Sequence, residues 1–372
     1  MKSIASAPAK IILFGEHFVV HGTKAILAAI DKRVTVTTTT TEKQTLKINS
    51  QLGTFEIPMY DGGSSNLTGE RNNVFALAYA ARRGVDDPDF AQIKSEFRPF
   101  VYLVAKLTGI DMEYQLALVG NYPSALGLEI TIDSDIPIGV GLGSSSACCV
   151  AAAASLSAIF RMAIGKDRVE YLIKRGDIPI GNETDASFNL AKQAEQTIFP
   201  DTSGADCAVC TYGGMIEHPN IEKIDNTFDL NLLIANSMIP HNTKNSVEKV
   251  NKFKENDEER FSQLCDLENG LIDEVIIAMK NNDATTLGLK MSENQKYLEE
   301  IQVSNDTLRN MINSLNEISL GSKITGAGDG GCVIALIKDE NMDKVPALLP
   351  KDKECFSAKI DTKGVVWSTI EE

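Results

Sequence analysis

The pattern of hydrophobic and polar positions divides the chain into a strand-rich first third and a later part rich in helices. Alternating or β-branched apolar runs predict strands at 3–7, 11–14, 32–41, 46–48, 55–57 and 128–132. Apolar positions at helical spacing predict helices at 73–83, 90–107, 147–160 and repeatedly between 247 and 315. Further strands are predicted near the C-terminal end, at 332–337, 354–360 and 365–369.

Strands followed by helices occur twice along the chain. This order favours an α+β protein of two lobes over a doubly wound sheet. A length of 372 residues also suits about two domains. Because the stretch at 181–185 is polar, we predict one lobe over residues 1–186 and a second over residues 187–372.

Composition narrows the classes of function. A net charge of −15 and a pI near 4.8 argue against nucleic acid or an anionic membrane as a partner, because both require a basic surface. No apolar run of membrane-spanning length and no signal-type apolar core is found in the sequence. Seven cysteines argue against a disulfide framework, so a cytoplasmic protein is expected. Cys207 and Cys210 have no histidine near them, which predicts buried thiols rather than a zinc site.

The glycines and serines after the predicted strand at 128–132 are the most informative residues for chemistry. Glycines let the backbone approach an anion, and a helix start adds unpaired N–H groups and a positive dipole end. The segment therefore predicts a phosphate site. It contains neither a Walker-type loop nor a regular dinucleotide fingerprint. Its members are Gly139, Gly141, Gly143, Ser144, Ser145 and Ser146.

Two other segments also contain glycines next to candidate chemistry. Lys323-Ile-Thr-Gly-Ala-Gly-Asp-Gly-Gly331 predicts a second backbone cradle or, alternatively, a glycine-rich hairpin. Lys10, at the start of an apolar strand, either reaches a transferring phosphate or is an ordinary strand-end lysine. Gly15-Glu16-His17 places two ionisable groups directly after that strand.

Two acids complete the candidate chemistry. The predicted helix at 185–199 places Glu195 on the same small apolar face as Ala191, where a carboxylate needs a partner such as a metal ion. Asp206 stands just before an apolar run, at a predicted junction of loop and strand. An acid in that position can orient or deprotonate a hydroxyl, and an exposed cap or turn aspartate is the alternative.

With these segments assembled, the chain resembles the GHMP kinases, a superfamily of small-molecule kinases. Its three motifs occur in order and span nearly the whole chain: Pro8-Ala-Lys10 with Gly15-Glu16-His17, Pro137-Ile-Gly-Val-Gly-Leu-Gly-Ser-Ser-Ser146, and Lys323-Ile-Thr-Gly-Ala-Gly-Asp-Gly-Gly331. Three segments are similar to the mevalonate kinases of this superfamily: Phe14-Gly-Glu-His-Phe-Val-Val-His-Gly22, Ser203-Gly-Ala-Asp206 and His241-Asn-Thr-Lys244. One departure is Ala9, where the family usually has glycine.

The resemblance implies ATP-dependent phosphorylation of the primary hydroxyl of (R)-mevalonate to 5-phosphomevalonate, a step of isoprenoid biosynthesis. It implies that Asp206 acts as base beside Lys10, and that Glu195 and Ser145 hold Mg²⁺. The implied substrate contacts are Lys10, Glu16, His17, Asp206 and Thr243. The implied ATP contacts are Gly139, Gly141, Leu142, Gly143, Ser144, Ser145, Ser146, Ala147, Gly326, Ala327 and Gly328.

The resemblance further implies an N-terminal lobe with a left-handed βαβ unit, a ferredoxin-like C-terminal lobe with the site between them, and a homodimer. Three alternatives stay open. A related kinase acting on phosphomevalonate would need a basic cluster for the second phosphate, and none is evident. A non-catalytic nucleotide- or metabolite-binding regulator would be expected to lose Lys10, Glu195 or Asp206, yet all three are present. The glycine spacing disfavours a dinucleotide oxidoreductase.

Overall fold

The computed structural model describes residues 1–59, 88–109, 127–165, 182–224, 230–240 and 243–371 of the chain. The strands of these residues form a sheet of eight strands and a sheet of four. With the helices packed on them, the two sheets give the predicted two-lobed α+β architecture. The helix predicted at 73–83 lies outside the described residues.

The larger sheet is built around two long strands. Its members are β1 (Lys2–Phe14), β2 (Ala25–Thr41), β3 (Thr45–Ser50), β4 (Gly53–Pro58), β5 (Gly127–Ser134), β6 (Met215–His218), β7 (Glu222–Ile224) and β12 (Val366–Ile370). The order is β12-β1-β2-β5-β3-β4, with β6 beside β2 and β7 beside β6. Only β3 and β5 pair in parallel among the described strands, and the chain between them passes through 88–109. The hand of this crossover stays a prediction.

Strand β2 is longer than the sequence pattern predicts. Its second half holds the threonine run and alternates between buried and more exposed positions. Its first half, 25–30, is buried at every position, because β1 and β6 flank it and both of its faces are covered. A strand buried on both faces has no period-2 pattern to reveal where it begins.

The helices of the larger lobe are α1 (Pro88–Ala91), α2 (Arg98–Gly109), α3 (Ser144–Ile164), α4 (Glu183–Glu195) and α5 (Ala205–Tyr212). The single helix predicted at 90–107 is therefore wrong, because the chain leaves the helical conformation at 92–97. The Arg98 guanidinium donates to the carbonyls of Ala91 and Ile93, both at 2.8 Å. These bonds stabilise the break, since they satisfy carbonyls that a continuous helix would have paired.

Helix α3 is the central helix of the larger lobe and packs against β1, β2, α4 and α5. Within the described part of the chain it alone is long and apolar enough, by length and composition, to cross a membrane. However, about 67% of that apolar stretch is buried inside the molecule. A core helix of a soluble protein has the same composition.

The smaller sheet comprises β8 (Leu232–Asn236), β9 (Ser319–Thr325), β10 (Cys332–Ile337) and β11 (Glu354–Ala358), all antiparallel in the order β11-β8-β10-β9. Its helices are α6 (Thr243–Asn256), α7 (Glu258–Lys280), α8 (Ala284–Glu300), α9 (Asp306–Asn316) and α10 (Val345–Leu348). This is a β-α-β-β-α-β arrangement with an enlarged first helical connection, which agrees with the ferredoxin-like lobe implied by the resemblance.

The two sheets meet where β1 contacts β9. The Thr325 hydroxyl donates to the Ile12 carbonyl at 2.9 Å and accepts from the Ile12 N–H at 3.1 Å. The boundary predicted between residues 186 and 187 stays a prediction, and β6, β7 and β12 lie in the larger sheet although they follow it. The contact places the glycine segment at 323–331 beside β1, the strand that contains Lys10.

Candidate active site

Lys10 and Asp206 meet at the centre of the candidate site. Lys10 is buried in β1, and its ammonium lies 2.9 Å from Asp206 Oδ2. Its aliphatic stem crosses Gly143, where a Cβ would lie 2.5 Å from Lys10 Cγ. The Lys10 amide also donates to the Leu142 carbonyl at 3.0 Å. These contacts fix β1 against the first glycine loop, and the Asp206 side chain, 35% exposed, is accessible to a ligand.

Asp206 lies in a helix, so its predicted position at a junction of loop and strand is wrong. Gly204 is the N-cap residue of α5 with φ at +83°, and Asp206 is in the first turn. A carboxylate there is favoured by the positive end of the helix dipole. The helix is difficult to predict because Cys207, Val209 and Thr211 are weak helix formers that suit a strand better.

Glu195 is the second acid, and it is only 2% exposed at the end of α4. Its Oε1 accepts a hydrogen bond from Ser146, and its Oε2 accepts one from Thr202 at 2.7 Å. Thr202 Oγ1 in turn accepts from the Gly204 N–H at 3.2 Å. A buried carboxylate requires such partners. The structure thus brings Ser146 to Glu195. Ser145, the serine expected to hold Mg²⁺ together with Glu195, lines a cavity beside the start of α3 instead.

Helix α4 positions Glu195 much as predicted, although its start differs. The helix begins at Glu183 rather than near Asp185, and Asn182 is its N-cap, accepting from the Asp185 N–H at 2.8 Å. Glu195 and Ala191 share a buried face, which confirms the predicted placement of the carboxylate. Thr202 is a site residue that lies outside the sequence predictions. Its one signal in the sequence is that it supplies a hydroxyl between the two candidate acids, Glu195 and Asp206.

The first glycine loop needs its glycines for backbone conformation. Gly139, Gly141 and Gly143 have φ at +75°, +86° and +70°, in the left-handed region that disfavours other residues. A Cβ at either of the first two would have no atom within 4 Å, so the loop borders open space. The side chains of Leu142 and Ala147 are buried in the core. They can therefore contact a ligand only through their backbone.

The second glycine loop faces the first. Gly326 and Gly328 also have positive φ, and a Cβ on Gly326 would lie 3.8 Å from the Gly141 carbonyl oxygen. His17 joins the remaining motif to this loop, because its Nε2 lies 2.8 Å from the Ala327 carbonyl. Burial lowers the pKa of His17, so we assign a neutral imidazole that donates from Nε2. All three sequence motifs therefore meet in one region.

Glu16 does not face this centre. Both Glu16 and its ion-pair partner Lys323 are fully buried, so Glu16 presents no surface to a ligand. Thr243 is exposed at the start of α6. The same helix is anchored to the second glycine loop by Lys249, whose ammonium lies 2.7 Å from Asp329 Oδ2.

A mostly apolar cavity of about 250 Å³ opens beside the start of α3. Ile138, Ser144 and Ser145 of the 137–146 motif line one part of it, and the rest of its lining comes from several distant segments of the chain. The lining includes Leu52, Phe97, Ser144, Ser145, Cys148 and Ile198.

The cysteines and acids near the site bear on whether it can hold a metal ion. Cys207 and Cys210 are buried thiols, as predicted, and burial raises the pKa of both well above the usual range. Within the described residues, no three His, Cys, Asp or Glu side chains are arranged to hold a metal. The oxygen donors of Glu195, Ser146 and Thr202 suit instead an ion held largely by the phosphates of a nucleotide, as Mg²⁺ usually is.

Comparison with known proteins agrees with this geometry. Residues 112–214 match the GHMP kinases N terminal domain, and residues 275–347 match the GHMP kinases C terminal domain. The mevalonate kinase of Archaeoglobus fulgidus is 31% identical over 363 residues, which cover 97% of this chain and 98% of the relative.

Solved structures share the fold. The mevalonate kinase of Methanococcus jannaschii gives a TM-score of 0.71 at 24% identity and covers 96% of this chain and 98% of its own. The L. major mevalonate kinase, solved in complex with R-mevalonate, gives 0.67 at 22% identity with 95% and 94% covered. Full-length similarity above 30% identity, three ordered motifs and a shared fold lead to one conclusion: the chain belongs to the mevalonate kinase family of the GHMP kinases.

Proposed function

We propose that this chain transfers the γ-phosphate of ATP to the primary hydroxyl of mevalonate. The observation that carries the proposal is the Lys10–Asp206 pair, which lies against the first glycine loop. The helix of Asp206 is linked to Glu195 through Thr202, which accepts from the Gly204 N–H and donates to Glu195. The family relatives support mevalonate over phosphomevalonate as substrate. The presence of Lys10, Glu195 and Asp206 supports an active kinase over a non-catalytic regulator.

In this proposal Asp206 accepts the hydroxyl proton, and Lys10 stabilises the negative charge that develops during the transfer. Asp206 orients the substrate hydroxyl and accepts its proton as the oxygen attacks the γ-phosphorus, while the bond from that phosphorus to the bridging oxygen breaks and ADP leaves. Lys10, held in place by β1 and by packing on Gly143, stabilises the negative charge that develops on the attacking oxygen and the γ-phosphate. Phosphoryl transfer depends mainly on positioning and charge stabilisation, and a rigid pair provides both.

The phosphates of ATP are proposed to lie between the two glycine loops. The 139–143 and 326–328 loops lie close together, since a Cβ on Gly326 would be 3.8 Å from the Gly141 carbonyl oxygen, and α3 begins directly after the first loop. A helix N-terminus and glycine amides favour phosphate even in a protein of net charge −15, because they act locally. His17, bonded to Ala327, is proposed to lie on the mevalonate side, and Thr243 near the reacting groups.

Glu195 and Ser146 are the residues proposed to hold Mg²⁺. A buried carboxylate and two hydroxyls fit an ion that prefers oxygen donors. When bound, Mg²⁺ supplies charge neutralisation of the β- and γ-phosphates. Ser146 replaces Ser145 in this assignment because the Ser146 hydroxyl donates to Glu195.

The apolar cavity beside Ser144 and Ser145 is proposed to receive the base of the nucleotide. It adjoins the helix start that is proposed to bind phosphate, and its walls are mostly apolar. Leu52 lines the cavity and is 51% exposed.

The substrate assignment is tested by ADP release with Mg²⁺-ATP and a panel of mevalonate, phosphomevalonate, homoserine and galactose. We expect the highest kcat/KM with mevalonate. A higher kcat/KM with another member of the panel would replace mevalonate as the substrate. Failure with all four would overturn the kinase proposal.

Replacing Glu195 by glutamine is expected to raise the Mg²⁺ concentration for half-maximal rate by roughly 10- to 100-fold, as loss of a ligand or its support does. The measurement is turnover against Mg²⁺ at saturating ATP and mevalonate. The control is Glu183→Gln at the other end of α4, where the carboxylate pairs with Arg161 on the surface. An unchanged Mg²⁺ dependence in Glu195→Gln would contradict the ligand role.

Leu52→Ala is expected to raise KM for ATP by roughly 3- to 10-fold, since it removes apolar surface from the proposed base site. KM for mevalonate is expected to stay unchanged. Leu289→Ala is a matched control, because that leucine is 62% exposed on α8. Equal KM values for ATP in both variants would count against a base in this cavity.

A cytoplasmic location is also proposed. The seven cysteines are all free, which supports a reducing compartment and the proposed cytoplasmic location. A homodimer, and the absence of nucleic-acid and membrane partners, stay predictions.

A further inference from the structure

A cluster of three buried charged residues lies next to the site without facing it. Glu16, in the turn after β1, forms an ion pair with Lys323 of β9, and neither side chain is exposed. Lys323 also donates to the Ile324 carbonyl at 2.8 Å. Glu268 of α7 is equally buried and accepts from the Gly15 N–H at 2.8 Å. A buried ion pair often adds little net stability, because removing both charges from water costs about as much as their attraction gains. The cluster therefore calls for a role other than stabilising the fold.

The cluster joins segments that must be aligned for phosphate transfer. Glu16 and Glu268 hold the turn that presents His17, and Lys323 starts the segment that leads to the second glycine loop. His17 then bonds Ala327 of that loop at 2.8 Å. A change in the cluster would therefore shift the turn and the loop relative to each other.

We propose that Glu16, Lys323 and Glu268 are positioning residues that hold the Gly15–His17 turn in register with the 326–328 loop. The inference rests on the proposed function, because the turn and the loop are the segments assigned to mevalonate and phosphate. The register is set by directional bonds in a buried place, where losing a partner leaves an uncompensated charge.

The charge balance of the cluster makes its geometry sensitive to pH. Two carboxyls face one ammonium, and burial together with the Glu16 charge raises the pKa of Glu268 to about 7. Burial also raises the pKa of Glu16, against the opposing effect of Lys323. The other titratable groups around Glu268 are Cys265 on its own helix and Tyr297 on α8. Burial lowers the pKa of Lys323, and the charge of Lys10 opposes the rise in the pKa of Glu16. With Glu16 and Lys323 both charged, a protonated Glu268 leaves the cluster neutral, and its ionisation adds a second buried carboxylate.

Asn294 of α8 provides a way to accommodate that proton. Its amide nitrogen donates to Glu268 Oε2 at 2.7 Å. Among the described residues, Asn294 Oδ1 and Glu16 Oε2 have no hydrogen-bond partner. Rotation of the Asn294 amide would let its oxygen accept from a protonated Glu268. Both protonation states can thus be hydrogen-bonded, but with different contacts.

The decisive variant is Glu268→Gln, which keeps the size and the hydrogen-bonding capacity but cannot ionise. Between pH 6 and pH 8 we expect KM for mevalonate to rise roughly 2- to 10-fold in the wild type and to stay flat in the variant, the range seen for coupling through packed residues. Identical KM profiles in the two proteins would overturn the proposal.

A second readout does not depend on activity. Because the Glu268 pKa is raised in the folded chain, that chain keeps a proton which the unfolded chain has released between about pH 4.5 and pH 7. Stability is therefore lost as pH rises through this window, and Tm should fall more steeply in the wild type than in Glu268→Gln. Equal slopes of Tm against pH in the two proteins would contradict the titration of Glu268 within the cluster.

Lys323 separates positioning from stability. Lys323→Met should lower Tm, because it leaves buried carboxyls without a cation, and the double variant Glu16→Gln/Lys323→Met should recover much of that loss. We expect the double variant to keep a kcat/KM roughly 10-fold below wild type, since the Glu16–Lys323 bond between the turn and β9 is lost and only the bonds of Glu268 to Gly15 and of His17 to Ala327 remain. Recovery of both Tm and kcat/KM would make the pair merely structural and overturn the proposal.

If the wild type phosphorylates none of the panel substrates, the proposed function fails, whereas the dependence of Tm on pH in wild type and Glu268→Gln still tests the charge balance of the cluster.

Discussion

Replacing Asp206 by asparagine is expected to lower turnover by about 10²–10⁴-fold, the usual effect of removing a general base. Asparagine is nearly the same size but cannot accept the hydroxyl proton or neutralise Lys10, which lies 2.9 Å away. The side chain is partly exposed in the first turn of α5, so the fold should survive the change. The measurement is kcat for ADP release with saturating Mg²⁺-ATP and mevalonate.

The matched control for this variant is Asp201→Asn. Asp201 is exposed in the same connection between α4 and α5. Its replacement should leave kcat and Tm unchanged. Near-normal turnover in Asp206→Asn, with the fold shown intact by its Tm, would remove Asp206 from the mechanism.

Lys10→Met should lower kcat by about 10²–10³-fold, the cost of losing one preorganised donor to developing charge. Methionine can keep the packing against Gly143 that the lysine stem provides, so the loss isolates the ammonium. Turnover and KM for ATP are measured together. A large fall in kcat with a modest rise in KM would place the effect in the transition state.

Lys47→Met serves as the control for Lys10→Met. Lys47 is a strand lysine in an exposed ion pair with Glu129, also at 2.9 Å. Surface pairs of this kind contribute little to stability, so we expect unchanged kinetics. If Lys10→Met turned over as fast as Lys47→Met, the ammonium of Lys10 would have no part in phosphate transfer.

Much of the fold follows from local patterns. The helices between 247 and 315 and the strand at 332–337 are amphipathic or uniformly apolar over their whole length, and the structure confirms them. The buried face shared by Glu195 and Ala191 also follows from helical spacing alone. These features depend on neighbours in sequence, which a pattern can reveal.

Features that depend on distant residues could not be predicted. Nothing local distinguishes Ser146 from Ser145, because the choice is made by the direction in which α4 presents Glu195. Likewise, the motif around Glu16 predicts a contact with substrate, but the side chain pairs instead with Lys323, which belongs to the other sheet. The helix around Asp206 forms against the weak helix propensity of its residues, because its buried side chains pack on the core.

The most direct test of the central claim is a crystal structure with mevalonate, Mg²⁺ and a non-hydrolysable ATP analogue. We expect the primary hydroxyl of mevalonate to lie about 3 Å from the Asp206 carboxylate, within hydrogen-bond reach. The terminal phosphate should lie beside Lys10 and between the two glycine loops. A triphosphate bound away from these loops, or a mevalonate hydroxyl without contact to Asp206, would contradict the account.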